Sequence, residues 1–212
     1  MLDLSKYSPA FVGVVGDVHA NTRWTVKAVE DISAHLRALG EPLPHFILQA
    51  GDFGFWSDKS GMNFLQQVNL VLAAKGAVIA AVPGNHENYE AIASWTRFET
   101  DTPPGCPNIY ILPRGRRWTW HDRTWLALGG AVSVDKAVRK PHVDWFPQEM
   151  ITYREAAETC REGPADIMLT HDCPTGVPLK YMDPVPAFWA EEDLNRSEKH
   201  RDLFHHGAGV SH

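Results

Sequence analysis

Four apolar runs, each stopping at a small polar cluster, dominate the pattern of this chain. Phe11-Val12-Gly13-Val14-Val15 leads into Gly16-Asp17-Val18-His19, and His45-Phe46-Ile47-Leu48-Gln49-Ala50 leads into Gly51-Asp52. Ala77-Val78-Ile79-Ala80-Ala81-Val82 reaches Gly84-Asn85-His86-Glu87 past Pro83, and Asp166-Ile167-Met168-Leu169 reaches Thr170-His171-Asp172. Short apolar runs bounded by turn formers read as strands buried on both faces, which belong inside a parallel sheet covered by helices. After the first run, Asn21 and Thr22 offer N-cap chemistry. Val26, Val29, Ile32, Leu36 and Leu39 then recur every three or four residues until Gly40 and Pro42 stop the helix. Leu65, Val68, Val71 and Leu72 mark a second helix, closed by Gly76. The order β-α-β-α-β predicts a right-handed parallel sheet.

The pattern then changes. Asn108–Leu112, Arg117–Trp120 and Thr124–Leu128 are strand-like, and the last two flank a short polar loop, His121-Asp122-Arg123, as in a hairpin. That hairpin predicts a second, more antiparallel sheet. Two sheets face to face with helices outside give an α/β fold, a four-layer α/β/β/α sandwich of two mixed sheets. Trp118, Trp120, Trp125 and Trp145 read as core and loop anchors. With no repeat, low-complexity tract or linker, residues 1–212 read as a single domain.

Composition narrows the class. The 212 residues are 44% apolar and 22% charged, ordinary for a globular chain. A formal charge of −6 argues against a broad nucleic-acid-binding surface. Arg114, Arg116 and Arg117 are either a local basic patch or a solvated loop beside a strand. Cys106, Cys160 and Cys173 are odd in number and share no CxxC spacing, which favours a reduced, intracellular chain over a disulfide scaffold. Met1–Lys6 lacks the basic-then-apolar order of a signal peptide. No apolar stretch approaches the roughly 20 residues of a membrane helix. The expectation is a soluble, cytoplasmic protein.

Parallel sheets collect functional groups at the carboxyl ends of their strands, so the four clusters should converge. Asp17 and His19 can turn an oxygen and a nitrogen toward one cation, or Asp17 can cap the next helix. Asp52, after Gly51, can bridge two cations or cap its own backbone. Asn85 offers a neutral ligand oxygen, and His86 beside it can act as a general acid or charge stabiliser; a turn with a surface histidine is the alternative. His171 is a ligand or a structural residue. Cys173, beside Pro174, lacks the surroundings that activate a thiol nucleophile. Asp17, Asp52 and Asn85 follow one another at intervals of one βα unit, as a shared rim predicts.

Taken in order, Gly16-Asp17-Val18-His19-Ala20-Asn21, Gly51-Asp52-Phe53-Gly54, Gly84-Asn85-His86-Glu87 and Thr170-His171-Asp172 resemble the calcineurin-like metallophosphoesterase superfamily, over about residues 11–173. Leu128–Asp135, with Arg139 and Trp145-Phe146-Pro147 beyond it, looks like the small bacterial and phage members. A phage origin would place the protein in a host cytoplasm. The resemblance implies the four-layer sandwich and two divalent metal ions as cofactors, among Mn²⁺, Fe, Zn²⁺ and Ni²⁺. It implies Asp17 and His19 on the first ion, Asp52 between both, Asn85 and His171 on the second, and His86 as the catalytic histidine assisting the leaving group. The implied activity is hydrolysis of a phosphomonoester or phosphodiester by a hydroxide activated between ions roughly 3.5–4 Å apart. A nucleotide, a nucleic-acid end or a phosphoprotein would be the substrate, and the aromatic loop Phe53–Trp56 hints at base stacking.

Two features depart from the family pattern. Many protein-phosphatase members carry an Asp three residues after the bridging Asp, where it orients the catalytic histidine. Phe55 stands there instead, which disfavours that branch and leaves His86 to be oriented otherwise. The family also closes its site with a strand and Gly-His-x-His. Glu191–Phe204 reads as the helix before that strand, but His205 to His212 contain no such motif, which reads as a C-terminal truncation. The alternative functions are a weakly active or inactive binding module on the same fold, or a nuclease, against which the net charge counts.

Overall fold

The computed structural model describes residues 2–97, 101–174 and 191–207. Strands β1 (Gly13–Val15), β2 (His45–Ala50), β3 (Ala77–Val82) and β4 (Ile109–Ile111) lie side by side in that order, all parallel. Helices α1 (Thr22–Ala38) and α2 (Lys59–Lys75) form the crossovers between the first three strands, and α3 (Tyr89–Thr96) lies between β3 and β4. A second sheet holds β5 (Arg117–Trp120), β6 (Arg123–Leu128) and β7 (Ile167–Thr170). Within it β5 and β6 are antiparallel, and β6 and β7 parallel. Helix α4 (Tyr153–Arg161) precedes β7, and α5 (Glu191–Gly207) follows it. Among the described residues only the second sheet is therefore mixed, contrary to the expectation of two. The connection through α3 crosses over and returns the chain in the same direction, so β4 extends the first sheet as a parallel strand.

Side-chain alternation along β2 and β3 divides the core. Ile47, Ile79 and Ala81 cluster with Val29 of α1 and with Phe64, Leu65, Val68 and Leu72 of α2. Phe46, Leu48, Val78, Ala80 and Val82 cluster with Trp118, Trp120, Ala127 and Leu169 of the second sheet. Burying each large apolar side chain contributes about 1.5–3 kcal/mol, so these two contacts hold helices and sheets together. A third group joins Leu128 of β6, Ile151, Ala156 of α4 and Leu203 of α5.

The continuous apolar runs at β2 and β3 are interior strands, as expected. Those at β1 and β7 are edge strands among the described residues, with Val14 63% and Ile167 37% exposed. An apolar run alone does not state how many neighbours its strand will have. In the hairpin Trp120 pairs with Arg123, so the loop is only His121-Asp122, both with positive φ (50° and 57°). That is what a tight two-residue turn between twisted strands requires. Trp118, Trp120 and Trp145 are buried, and Trp118 stacks on Trp125.

Arg114, Arg116 and Arg117 form neither a basic patch nor a solvated loop. Arg114 donates to the carbonyls of Gly129 (2.9 Å), Gln148 (2.7 Å) and Glu149 (2.7 Å) and to Glu155 Oε1 (3.0 Å). Arg117 donates to the carbonyls of Thr159 and Gly163, and Arg116 to that of Leu2. These arginines tie loops to the second sheet. Their several fixed donors suit them to satisfying clustered carbonyls.

Helix α5 is anchored by a buried histidine. His200 Nε2 accepts the Ile151 N–H at 2.7 Å. Burial, seconded by Arg114, draws its pKa from 6.5 down to about 4. Between those values the unfolded chain binds the proton and the folded chain does not, so stability falls as pH drops from about 6.5 through about 4. This site's share of the loss should approach about 3 kcal/mol. His200→Gln should lack it. Urea melts of both proteins at pH 7 and pH 4.5 measure the difference, and equal acid sensitivity would contradict the assignment.

Candidate metal centre

Strand register brings the polar clusters together. Ala50 lies opposite Val82 and Val15 opposite Gln49, so the segments after β1, β2 and β3 leave the sheet side by side. The first two remain joined beyond their strands. Asp17 N–H donates to Gly51 O (2.9 Å), His19 N–H to Asp52 O (2.8 Å) and Ala20 N–H to Phe53 O (3.0 Å). The buried Gln49 side chain supports the turn, donating to Gly51 O at 2.7 Å and accepting the Gly51 N–H at 2.9 Å. Gly51 has φ +88°, and a Cβ there would lie 2.4 Å from the His171 ring. Glycine therefore serves both the turn and the approach of a histidine arriving from the second sheet. Gly84 likewise makes room for Asp52, whose Oδ1 would lie 2.1 Å from an added Cβ.

Asp52 is the centre, 3% exposed. Its Oδ1 accepts the His86 N–H at 2.9 Å and lies 3.5 Å from His171 Nε2. Its Oδ2 lies 3.5 Å from His19 Nε2 and 4.0 Å from His86 Nε2. His19 Nε2 also meets Asp17 Oδ1 at 2.7 Å, on the solvent side. His171 Nδ1 is bonded to Ala50 O at 2.8 Å, and its Nε2 faces Asn85 Oδ1 at 3.1 Å. All six residues singled out in the sequence thus meet in one place. Asp17 does not cap α1, because Asn21 does. Asp52 does not cap its own turn, because its carboxylate reaches His86.

Burial alone would raise the Asp52 pKa, but hydrogen bonding and charge from His171, with further help from His86, bring it to about 2. Burial would lower His171, but the Asp52 hydrogen bond and charge overturn this and raise it to about 9. The two directions agree that the centre favours added positive charge. For His86 burial prevails and lowers the pKa, with Asp52 opposing and Arg139 and His19 assisting.

The donor set fits a divalent cation. His19, Asp52 and His86 each present a ligand atom within 4.8 Å of the other two. At His171, the Nδ1–H is committed to a backbone carbonyl, which leaves an Nε2 lone pair aimed inward, the usual arrangement of a ligating histidine. That lone pair faces the Asn85 and Asp52 oxygens, and acceptors so arranged need a cation or a proton between them. Imidazole, carboxylate and amide oxygen suit first-row divalent metals rather than soft thiolate chemistry. Cys173 takes no part; its Sγ accepts from Arg201 at 3.0 Å. The sequence assigned His86 to the leaving group, as a general acid or charge stabiliser and not as a ligand, whereas its ring nitrogen also lies within this compact group.

Glu87, Trp56 and Arg139 support the site in ways the sequence did not assign to them. Glu87, 2% exposed, accepts the N–H groups of Phe53 (2.7 Å), Gly54 (3.1 Å) and Phe55 (2.7 Å). Burial and the nearby Asp52 charge push its pKa up to about 7 against the pull of those donors. Trp56 Nε1 donates to His86 O at 2.6 Å. The Arg139 guanidinium lies against the His86 ring and is held from behind by Asp135 Oδ2 at 3.0 Å. The group beside His86 is thus a cation held by Asp135, not the carboxylate that would stand at the position of Phe55. Phe53 and Phe55 are fully buried, and Phe53 packs on both Phe55 and Phe64. The aromatic loop is therefore core, not a base-stacking platform, and only Trp56 is partly open. Only the neighbourhood of Asn85-His86 in the sequence hinted at Glu87.

The segment from Ala208 onward, where the closing motif was sought, and the side chains of His205 and His206 lie outside the described residues. Among the described residues, no helix is long and apolar enough to cross a membrane. A search of curated proteins finds no match. The family model for calcineurin-like phosphoesterases matches residues 12–202, which takes in every described strand and each of the six convergent residues. On that match and this geometry, the chain belongs to the calcineurin-like phosphoesterase family.

Proposed function

We propose that the chain is a metal-dependent phosphoesterase that hydrolyses a phosphomonoester or phosphodiester within a four-layer α/β/β/α sandwich. The observation supporting this most directly is the buried Asp52 carboxylate encircled by His19, His86 and His171. Asp17, His19, Asp52, Asn85 and His171 would hold two divalent ions. When bound, such ions neutralise phosphoryl oxygens and acidify water. Asp52 stays ionised at neutral pH, and Asn85 adds a donor without adding charge. His86 stands at the wall of a cavity of about 600 Å³ also lined by Trp56, Asp58, Asp135, Arg139 and Phe146. From there it would give a proton to the leaving oxygen or stabilise its charge. Arg139 lies against the ring, and Trp56 anchors the His86 backbone through its carbonyl. The carboxylates of Asp58 and Asp135 in the wall favour a small phosphoester over a nucleic-acid strand.

Metal content and turnover of p-nitrophenyl phosphate and bis-p-nitrophenyl phosphate with added Mn²⁺ test the proposal. Absence of both would leave a binding module. His86→Ala is expected to lower turnover by about 100-fold or more with Mn²⁺ stoichiometry retained. Loss of an ion together with activity would instead make His86 a ligand. Unchanged turnover would remove it from the reaction.

A further inference from the structure

We propose that Ser133 and Glu149 are positioning residues that determine which atom of the Asn85 amide faces the metal centre. The proposal rests on the metal reading of that site. Glu149, 1% exposed, ends the short 3₁₀ turn Pro147–Glu149. It accepts the Ser133 N–H at 2.7 Å, the Ser133 hydroxyl at 2.8 Å and the Trp145 indole N–H at 2.9 Å.

The Ser133 hydroxyl donates to Glu149 Oε2, so its single proton points there. Ser133 is itself fully buried, and its oxygen has only lone pairs left for other neighbours. Asn85 Nδ2 donates to one of them at 3.1 Å. An amide with its NH₂ committed there must turn its oxygen the other way, where Oδ1 meets His171 Nε2 at 3.1 Å. The flipped amide would set oxygen against oxygen at Ser133 and present N–H groups where a cation belongs. The segment carrying Ser133 is fixed against the site by Gly130 N–H, which donates to Pro83 O at 2.8 Å. Glu149 thus acts through two hydrogen bonds on a ligand far away in the chain, and touches neither substrate nor ion.

Mn²⁺ titration calorimetry of the full chain tests this. Ser133→Ala should raise the Kd for Mn²⁺ by about 10–100-fold, and Ser133→Thr, which restores the hydroxyl, should recover most of it. In the Asn85→Asp background the ligand is a carboxylate with two equivalent oxygens, so no orientation needs setting. Adding Ser133→Ala there should not raise Kd, because the serine oxygen then faces a carboxylate oxygen instead of an N–H donor. Glu149→Gln serves as a second variant should Ser133→Ala not fold, because an NH₂ facing Ser133 turns the hydroxyl toward Asn85. A wild-type Kd in the variants, or an equal loss in the Asn85→Asp background, overturns the positioning role while leaving the metal site intact. Failure of the unaltered chain to take up Mn²⁺ overturns both.

Discussion

Asp52→Asn is expected to empty the centre of divalent ions and to lower phosphoester turnover on the order of a thousandfold. The substitution keeps shape and removes charge. The asparagine oxygen can still accept the His86 N–H that Oδ1 accepts at 2.9 Å, so the turn after β3 need not move. What disappears is the negative charge shared by His19, His86 and His171, and with it the reason for a cation to enter. A circular dichroism spectrum matching the unaltered chain, with metal content near zero, is the expected pair of results. Full metal content in a folded Asp52→Asn protein would place the ions elsewhere.

Glu87→Ala should have the largest effect on stability. The carboxylate is the partner of three consecutive backbone N–H groups, at Phe53, Gly54 and Phe55. Removing it strands those donors in a dry interior at about 1–3 kcal/mol each. It also leaves a hole beneath the Phe53–Phe55 contact. A loss of about 4 kcal/mol or more compares with a total stability of about 5–15 kcal/mol for an ordinary domain. Urea denaturation measures it, and a loss under about 1 kcal/mol would mean that water or another group meets these amides. Glu87→Gln should fall between, because only one of its two terminal atoms accepts.

Much of the site was legible because each ligand candidate follows a strand. Apolar runs at His45–Ala50 and Ala77–Val82 announced interior strands, and the polar clusters after them had to emerge at one edge. The runs ending at Val15 and Leu169 were equally legible as strands but not as edge strands, since edge position depends on partners the run does not encode. Helices α3 and α4 passed unread. The signal for α4 was nonetheless present as the capping box of Thr152 and Glu155, whose side chain accepts the Thr152 N–H at 2.8 Å. The roles of Glu87, Arg139, Ser133 and Glu149 were hidden for another reason, although the first three stand in motifs the sequence displays. Each works by hydrogen bonds to segments distant in the chain, and neither periodicity nor local motif records such pairings.

The left-handed backbone of the rim has a consequence for how this chain can change. Asp17, His19, Ala20 and Asp52 all have φ between +44° and +57°, conformations that cost non-glycine residues on the order of 1 kcal/mol each. Glycine would relieve that strain at every one of the four. Selection for heat resistance alone would therefore erode the rim first and leave a sturdier, chemically silent scaffold. Two aspartates and a histidine at those positions hold a backbone that glycine would adopt more easily, so the rim trades local ease for the groups it presents.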